Sequence, residues 1–525
     1  MPNRGLAFRN SKGKNRAVKP LNLLAIAILY QLPAMGAISL DSKDGTSVLQ
    51  DSDPALKALG KKADHAPEGK AGEAFAAGKY EEAIRLASPR AEAGDPDALY
   101  LMGFAYETGK GVPQSREKAI EYYRQGTAKG HADSIYRLAI NLASSGAAAD
   151  AREAQTLLEK QAEKDVTVAG RILGELFVRG RFTEKPDAEN GVSWWKKAAA
   201  AGDTASMNFL AAFYDGQMGF PNKKDPALTI QYYSASAAKG DTSAMINLGS
   251  RLLTGETKLR DEKKGKEWIA KAIEAKDASG YLALGAYQEG VKKDAKAALT
   301  QYEKGAAAGQ GECMIHAAAM YTKGEGVEKN ENKAKDLLEK AAEGGSAQAH
   351  LELAGLLLNK KENPDFAKGY VHLLTAANGG LAFAQNELGI FYLSGKLGVA
   401  DIPAAVSWFG KAAQANFAAA QYNLGTLHER GAGVPQNFEN ALKLYTLAAQ
   451  QGHPGATLAI ARLNGAGAGT KQNLEIAWAL ATIAGERGEE HAAAFITEVE
   501  KNLTKEQLAG AKKELERLKS GKPAE

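Results

Sequence analysis

Residues 420–452 read AQYNLGTLHERGAGVPQNFENALKLYTLAAQQG, from Ala420 to Gly452. Counted from Asn416, a small residue stands four places on (Ala420), a large apolar one at eight (Leu424) and a glycine at nine (Gly425). Steps of four follow one face of a helix. GAGVPQN from Gly431 then breaks it, because glycine tolerates the positive φ that ends a helix and Pro435 cannot continue one. A second amphipathic stretch runs to Gly452, with the bulky pair Leu444-Tyr445 eight and seven residues before it. The segment predicts two antiparallel helices of about three turns each. One such hairpin cannot bury its apolar face alone.

The same pattern recurs along most of the chain. Its anchors are Gly94, Gly130, Asp165, Gly202, Gly240, Lys276, Gly309, Gly345, Gly380, Asn416, Gly452 and Gly488, spaced 33 to 38 residues apart. Four after each anchor comes a small residue, as at Ala98, Ser134, Ala244, Cys313 and Ala349. Nine after it comes Gly or Ala in all but the last, and twelve after it often an aromatic such as Tyr106, Phe177 or Tyr392. Bulky pairs precede the anchors at Tyr122-Tyr123, Trp194-Trp195, Tyr232-Tyr233 and Trp408-Phe409. A fixed period of this length predicts an all-α chain, an α/α solenoid of stacked antiparallel helix hairpins. The turns are weakest over Ala139 to Ala151 and Gly285 to Ala295, where spacing alone places the hairpins.

The stretch from Ala420 to Gly452 resembles a Sel-one-like repeat of the tetratricopeptide superfamily, and so does ALYLMGFAYETGKGVPQSREKAIEYYRQGTAKG, from Ala98 to Gly130. The resemblance covers about Pro67 to Gly488. It implies a right-handed superhelix and a role in holding proteins together. Some secreted relatives of that family carry a cysteine pair in each repeat. This chain has one cysteine, so its stability must come from packing.

The organisation reads as follows. Residues 1–36 form a secretory signal: six Lys or Arg and no acid in the first 19, an uncharged stretch from Pro20 to Leu40, and a small-residue exit at Ala34-Met35-Gly36. The rival reading is an uncleaved anchor, since an uncharged stretch of about 20 residues can just cross a bilayer. Both place the repeats outside the cytoplasm, periplasmic or secreted. Residues 37–66 form a polar linker, 67–94 a shortened capping hairpin turning at Gly78, 95–488 eleven repeats, and 489–525 C-terminal capping helices and a tail. Terminal units need polar caps because they have one neighbour only.

The net charge is +4, and the leader contributes +6 of it, leaving the body near neutral. No basic stripe exists for a phosphate backbone, which argues against nucleic acid. Cys313 fills a slot held elsewhere by Ala, Ser or Gly and reads as a small core residue. Ser236-Ala-Ala-Lys239 matches the Ser-x-x-Lys pattern of acyl-transfer enzymes, but its Ser-Asp-Asn and Lys-Thr-Gly partners are missing. GFAYETGK from Gly103 lacks the spacing and the Ser or Thr of a phosphate loop. The His residues are scattered, with no pair at helical ligand spacing, and His428 takes a slot usually Tyr or Leu. The five Trp lie on second helices, where core is the simpler reading. Neither a metal, a cofactor nor a catalytic residue is expected.

The resemblance to tetratricopeptide arrays implies that first helices line a concave surface. The slots six, ten and thirteen after each anchor then face it, including Tyr100, Phe104, Glu107, Tyr136, Ile140, Arg171, Glu175, Asn208, Ile246, Ile390 and Tyr422. This mix suits a protein or peptide partner. The expectation is an exported, monomeric, non-catalytic scaffold or adaptor, touching a membrane only if the leader is retained. The alternatives are a binder of cell-wall glycan or peptide and, more remotely, a serine hydrolase using Ser236 and Lys239.

Overall fold

The computed structural model describes residues 69–520 except 184, 360–362 and 397. The expected signal (1–36) and linker (37–66), the first two residues of the expected opening hairpin, and the last five residues lie outside the described residues. The described residues are helical with no strand, and they fall into two compact units that divide between Lys293 and Asp294.

The first unit opens with Lys70–Ala76 and Tyr80–Glu92, joined through Gly78 at φ +75°. Five hairpins follow among the described residues: Pro96–Thr108 with Arg116–Ala128, Ala132–Ala143 with Ala148–Ala162, Val166–Val178 with Ala188–Ala200, Thr204–Tyr214 with Pro226–Ala238, and Thr242–Thr254 with Glu262–Glu274. The unit ends on Ser279–Tyr287 and a wide turn over Gln288–Lys292. The second unit begins with Ala295–Ala307. Its hairpins are Gly311–Lys323 with Glu331–Glu343, Ala347–Leu358 with Phe366–Asn378, Ala382–Ser394 with Ile402–Gln414, Ala418–Arg430 with Phe438–Gln450, and Pro454–Ala466 with Leu474–Glu486. Ala492–Glu500 and Lys505–Ser520 close it. In each unit the chain is an α/α solenoid of stacked antiparallel hairpins.

The anchors are the hinges between hairpins. Eleven of the twelve stand in the left-handed region, with φ from +59° at Asn416 to +99° at Gly202. At several hinges the next residue caps the following helix: Asp95, Asp203, Asp241, Gln310 and Ser346 each accept the backbone N–H three residues on. Asp165 is the exception and corrects the sequence register. Its φ is −144°, and it caps Val166–Val178 itself by accepting from Thr167 N–H. The connector still has three residues, 163–165, but the preceding helix ends three residues before Asp165 instead of two, and the next begins one residue after it instead of two.

Inside each hairpin the ninth slot seats the bulky residue that stands seven before the next anchor. A Cβ on Gly103 would lie 2.6 Å from the Tyr123 ring, on Gly174 2.3 Å from Trp195, on Gly389 2.6 Å from Phe409 and on Gly425 2.8 Å from Tyr445. Those large residues are at most 1 % exposed. Where the bulky partner is only Leu158, Leu338 or Leu373, the ninth slot is Ala139, Ala318 or Ala354. Ala211 opposite Tyr233 is the one such pair that combines a methyl with a ring. Volume is thus matched in most hairpins, as close packing demands, while Gly249 seats the aliphatic Ile269. Between hairpins the small fourth slot lets the preceding second helix approach. A Cβ on Gly126 would lie 2.3 Å from Ser134 Oγ, and one on Gly485 3.3 Å from Ala492.

The turn glycines are constrained twice. Gly469 has φ +70°, and a Cβ there would also lie 2.7 Å from the Phe438 backbone.

Two expectations follow from the packing. Gly174→Ala should destabilise the protein by about 1–3 kcal/mol through overpacking against Trp195. Trp195→Leu should then cost less in the Gly174→Ala background than in the wild type, a coupling that denaturant melts of the four proteins would measure. Lys276 holds φ +67° with a side chain that gains nothing from it, so Lys276→Gly should stabilise by about 0.5–1 kcal/mol, read as a raised unfolding midpoint.

Candidate interaction surface

The first helices carry polar groups that reach from one repeat to the next. In the first unit Glu107 accepts from Tyr123 Oη at 2.5 Å and Asn141 Nδ2 at 3.1 Å, and Arg137 stands 3.7 Å away. Arg171 pairs with Asp203 at 3.0 Å, both nearly closed to solvent. Asn208 donates to Asp241 at 3.3 Å, Thr242 to Asp277 at 2.7 Å, and Arg251 pairs with Asp215. In the second unit Asn423 donates to Asn386 at 2.9 Å, and Glu429 accepts from Tyr445 at 2.6 Å with Arg462 3.6 Å away. The partners are one repeat apart in most of these, so the interactions form a ladder along each unit. A desolvated pair of this kind fixes register more than it adds stability.

The ladder absorbs several expected surface residues. Tyr100, Tyr136, Ile140, Arg171, Glu175 and Asn208 are buried. Glu175 is paired with Arg179 at 2.6 Å. Burial raises the Tyr100 and Tyr136 phenol pKa values above the usual range. Phe104, Glu107, Ile246, Ile390 and Tyr422 are half-buried. Arg137 lies 4.9 Å over the Phe104 ring, and Tyr422 stacks on His453 at 4.7 Å. Residues of the face that the sequence reading did not single out include Arg137, Asn386 and Asn423. Arg137 and Asn423 fall one slot away from the assumed positions, seven instead of six after an anchor, whereas Asn386 stands in slot six itself.

Other candidates have structural roles. Ser236 is fully buried, and its hydroxyl points to the Thr204 carbonyl at 3.4 Å, in the first helix of the same hairpin. Lys239 is the C-cap of that second helix, pointing toward Gly202. Cys313 is buried, and burial pushes its thiol up to about 12, so it stays protonated at neutral pH. Gly103 seats Tyr123, and Lys110 stands 5.6 Å over Tyr80. Trp195 is core, and its ring N–H donates to the Arg171 carbonyl at 3.1 Å. Trp194, Trp268 and Trp408 are half-buried, with Lys197, Lys271 and Lys411 over their rings at 4.0, 4.2 and 3.7 Å. Trp478 is buried, its ring N–H bonded to Glu500 at 2.8 Å. Among the described residues no group of three or more His, Cys, Asp or Glu is placed to hold a metal ion.

Among solved structures, the chain is similar to c5321, a protective antigen of uropathogenic Escherichia coli displaying an SLR fold. That match is 23% identical, covers 84% of this chain and 98% of the other, and has a TM-score of 0.47. A Sel1 repeat protein from Oxalobacter formigenes is 26% identical over 62% of this chain and 93% of its own, with a TM-score of 0.42. Among curated proteins, "Chitin synthase regulatory factor 3" of Schizosaccharomyces pombe is 26% identical over 278 residues, 51% of this chain and 30% of that protein. "Chitin synthase regulator SKT5" of Saccharomyces cerevisiae is 27% identical over 251 residues, 44% of this chain and 35% of that protein. The chain thus spans about a third of the length of these curated relatives. The Sel1 repeat matches residues 96–131, 171–203, 204–241, 242–277, 278–310, 311–346, 382–417, 418–453 and 455–489, and these nine repeats, more than half of the sequence, place the chain in the Sel1 repeat family.

Proposed function

We propose that the chain is an exported, non-catalytic adaptor that binds a protein or extended peptide along its first-helix faces. The observation that carries this reading is the way each hairpin holds its first helix. The seat under Tyr123, Trp195, Phe409 or Tyr445 fixes one side of that helix, and the polar ladder fixes the edges it shares with its neighbours. Side chains such as Phe104 and Ile246 in the first unit, and Ile390 and Tyr422 in the second, are therefore presented at fixed spacing. A preformed face loses little conformational entropy when a partner docks. Aromatic and aliphatic groups set among satisfied polar ones suit the centre of a protein contact. The curated relatives are named as regulators of chitin synthase, a role exercised on another protein. Export rests on the basic leader and its uncharged, small-residue exit.

Affinity purification of the tagged full chain from crosslinked cells of its source, followed by mass spectrometry, tests the adaptor. A near-stoichiometric protein should be recovered and should fall at least about tenfold when Phe104, Ile246, Ile390 and Tyr422 are changed to Ala together, since each 1.4 kcal/mol of lost contact is tenfold. Unchanged recovery would remove these faces from the proposal, and recovery of wall glycan without protein would replace the adaptor with a glycan binder. Export is tested separately by intact mass. The mature protein should begin at Ala37, whereas a full-length chain in the membrane fraction would show a retained anchor.

A further inference from the structure

One hairpin sets two histidines against each other across its seam. In Ala347–Leu358 with Phe366–Asn378, the residue five after the anchor Gly345 is His350, and the residue eight before Gly380 is His372. The same two slots hold Leu99 and Tyr122, Ile135 and Leu157, Met245 and Trp268, or Met314 and Leu337 in other hairpins. Elsewhere the fifth slot can also be polar, as at Gln385, Gln421 and Thr457, but only here do both slots carry imidazoles.

Their geometry is specific. His350 Nδ1 and His372 Nδ1 lie 2.9 Å apart. The ring centres are 5.2 Å apart, hardly more than that separation plus the two ring radii, so the rings point at each other. This is the arrangement of one shared proton, one imidazole donating and the other accepting. Two lone pairs converging on a cation would aim at a common third point instead. Both rings are half-buried. Burial lowers both pKa values below the ordinary range, and for His372 the neighbouring His350 lowers it further.

The charged groups around the pair do not offset this. From helix Glu331–Glu343, Glu339 favours and Lys335 opposes a charge on His372, and these two are themselves paired at 3.2 Å. On the helix of His350, Glu352 accepts from Gln348 at 2.8 Å and is drawn to Lys323. On the helix of His372, Lys368 pairs with Asp365 at 3.6 Å, and Tyr370 bonds Tyr392 of the following helix at 2.8 Å. On that following helix, Ala382–Ser394, Glu387 accepts from Asn386 at 3.2 Å and faces Lys396.

We propose that His350 and His372 form an acid-sensitive latch between the two helices of this hairpin, closed while one Nδ1 donates to the other and released when both imidazoles are charged. The neutral pair can take up one proton on the outward Nε2 of the donor ring with the contact kept, whereas the next one leaves both Nδ1 atoms as donors facing each other and puts two positive charges in contact. The sign follows from linkage. The folded hairpin takes up that proton at a lower pH than the open chain, whose imidazoles titrate near about 6.5. The closed state is therefore fully favoured above about pH 6.5 and loses stability as pH falls through the depressed folded value. Each proton taken up on opening raises the opening constant by up to about tenfold per pH unit.

Hydrogen-exchange mass spectrometry on the full chain, corrected for intrinsic exchange and run from about pH 7.5 to about pH 5, reads this directly. Peptides covering Ala347–Asn378 should lose protection reversibly on acidification, by up to about tenfold per pH unit. Thr242–Glu274, a hairpin without histidine, should stay protected. The double variant His350→Met, His372→Leu, which installs the residues of the Met314–Leu337 seam, should stay closed throughout. Protection that persists in the wild type, or an equal loss in the double variant, would overturn the latch. Should the variant fail to fold, an NMR titration of the wild-type rings decides. Two well-separated macroscopic steps support the shared proton, and two independent steps near the ordinary value overturn it.

Discussion

The array depends on one contact, a bulky side chain lowered onto the bare backbone of the facing helix. The closeness of a first helix to its second is set by what stands nine residues after the anchor. With Gly103, Gly174, Gly389 or Gly425 there, a Tyr, Trp or Phe ring lies directly against the helix. Each such ring removes a large apolar area from water at about 25 cal/mol per Å². A glycine inside a helix costs roughly 0.5–1 kcal/mol in conformational entropy, so the burial of the ring outweighs it. Where the ring is replaced by Leu158, Leu338 or Leu373, the glycine gives way to alanine, and the helix regains propensity where it no longer needs the gap.

This contact also decides what the first helices can present. With one side given to the seat and two to neighbouring repeats, only a narrow strip is left for recognition. The buried polar residues of that helix serve the array. Arg171 and Asp203, or Asn386 and Asn423, satisfy one another across a repeat boundary. A partner that competed for those atoms would have to break desolvated bonds, which costs far more than the bonds are worth net. On the proposed reading, recognition falls to half-buried side chains such as Ile246 and Tyr422, whose polar neighbours are already engaged.

The hairpins were legible in the sequence because a slot defined by packing repeats with the packing. Small, large and glycine slots each tolerate few side chains, so twelve copies reveal the rule. Asp165 shows where this stops. The residue keeps its place in the repeat, but it caps a helix instead of turning the chain, because the helix boundaries on either side lie one residue earlier against the slots. The face was legible only in part. Slots six, ten and thirteen share a side of the helix, yet burial of Tyr136 or Ile140 and openness of Ile246 depend on the helices beside them. The histidine pair was invisible for a related reason. His350 and His372 are 22 residues apart on facing helices, while spacing along one helix is all that a sequence displays.

In a stack of repeats, stability is close to a sum of each hairpin's own energy and its contacts with immediate neighbours. A weakness in one hairpin can then stay local instead of melting the array. The hairpin Ala347–Asn378 has the lighter version of two of these devices, the seat and the turn. Its seat is Ala354 opposite Leu373, not glycine under a ring. Its turn carries neither of the paired positive-φ glycines found at Gly109 and Gly111 or at Gly431 and Gly433. The exposed Val371, at 59%, spends its apolar surface on solvent. A proton-dependent contact placed in the Gly-aromatic hairpins would be swamped by the ring's burial. Placed here, beside a seat of Ala354 and Leu373 with no ring, the same contact can bear on whether the two helices stay together.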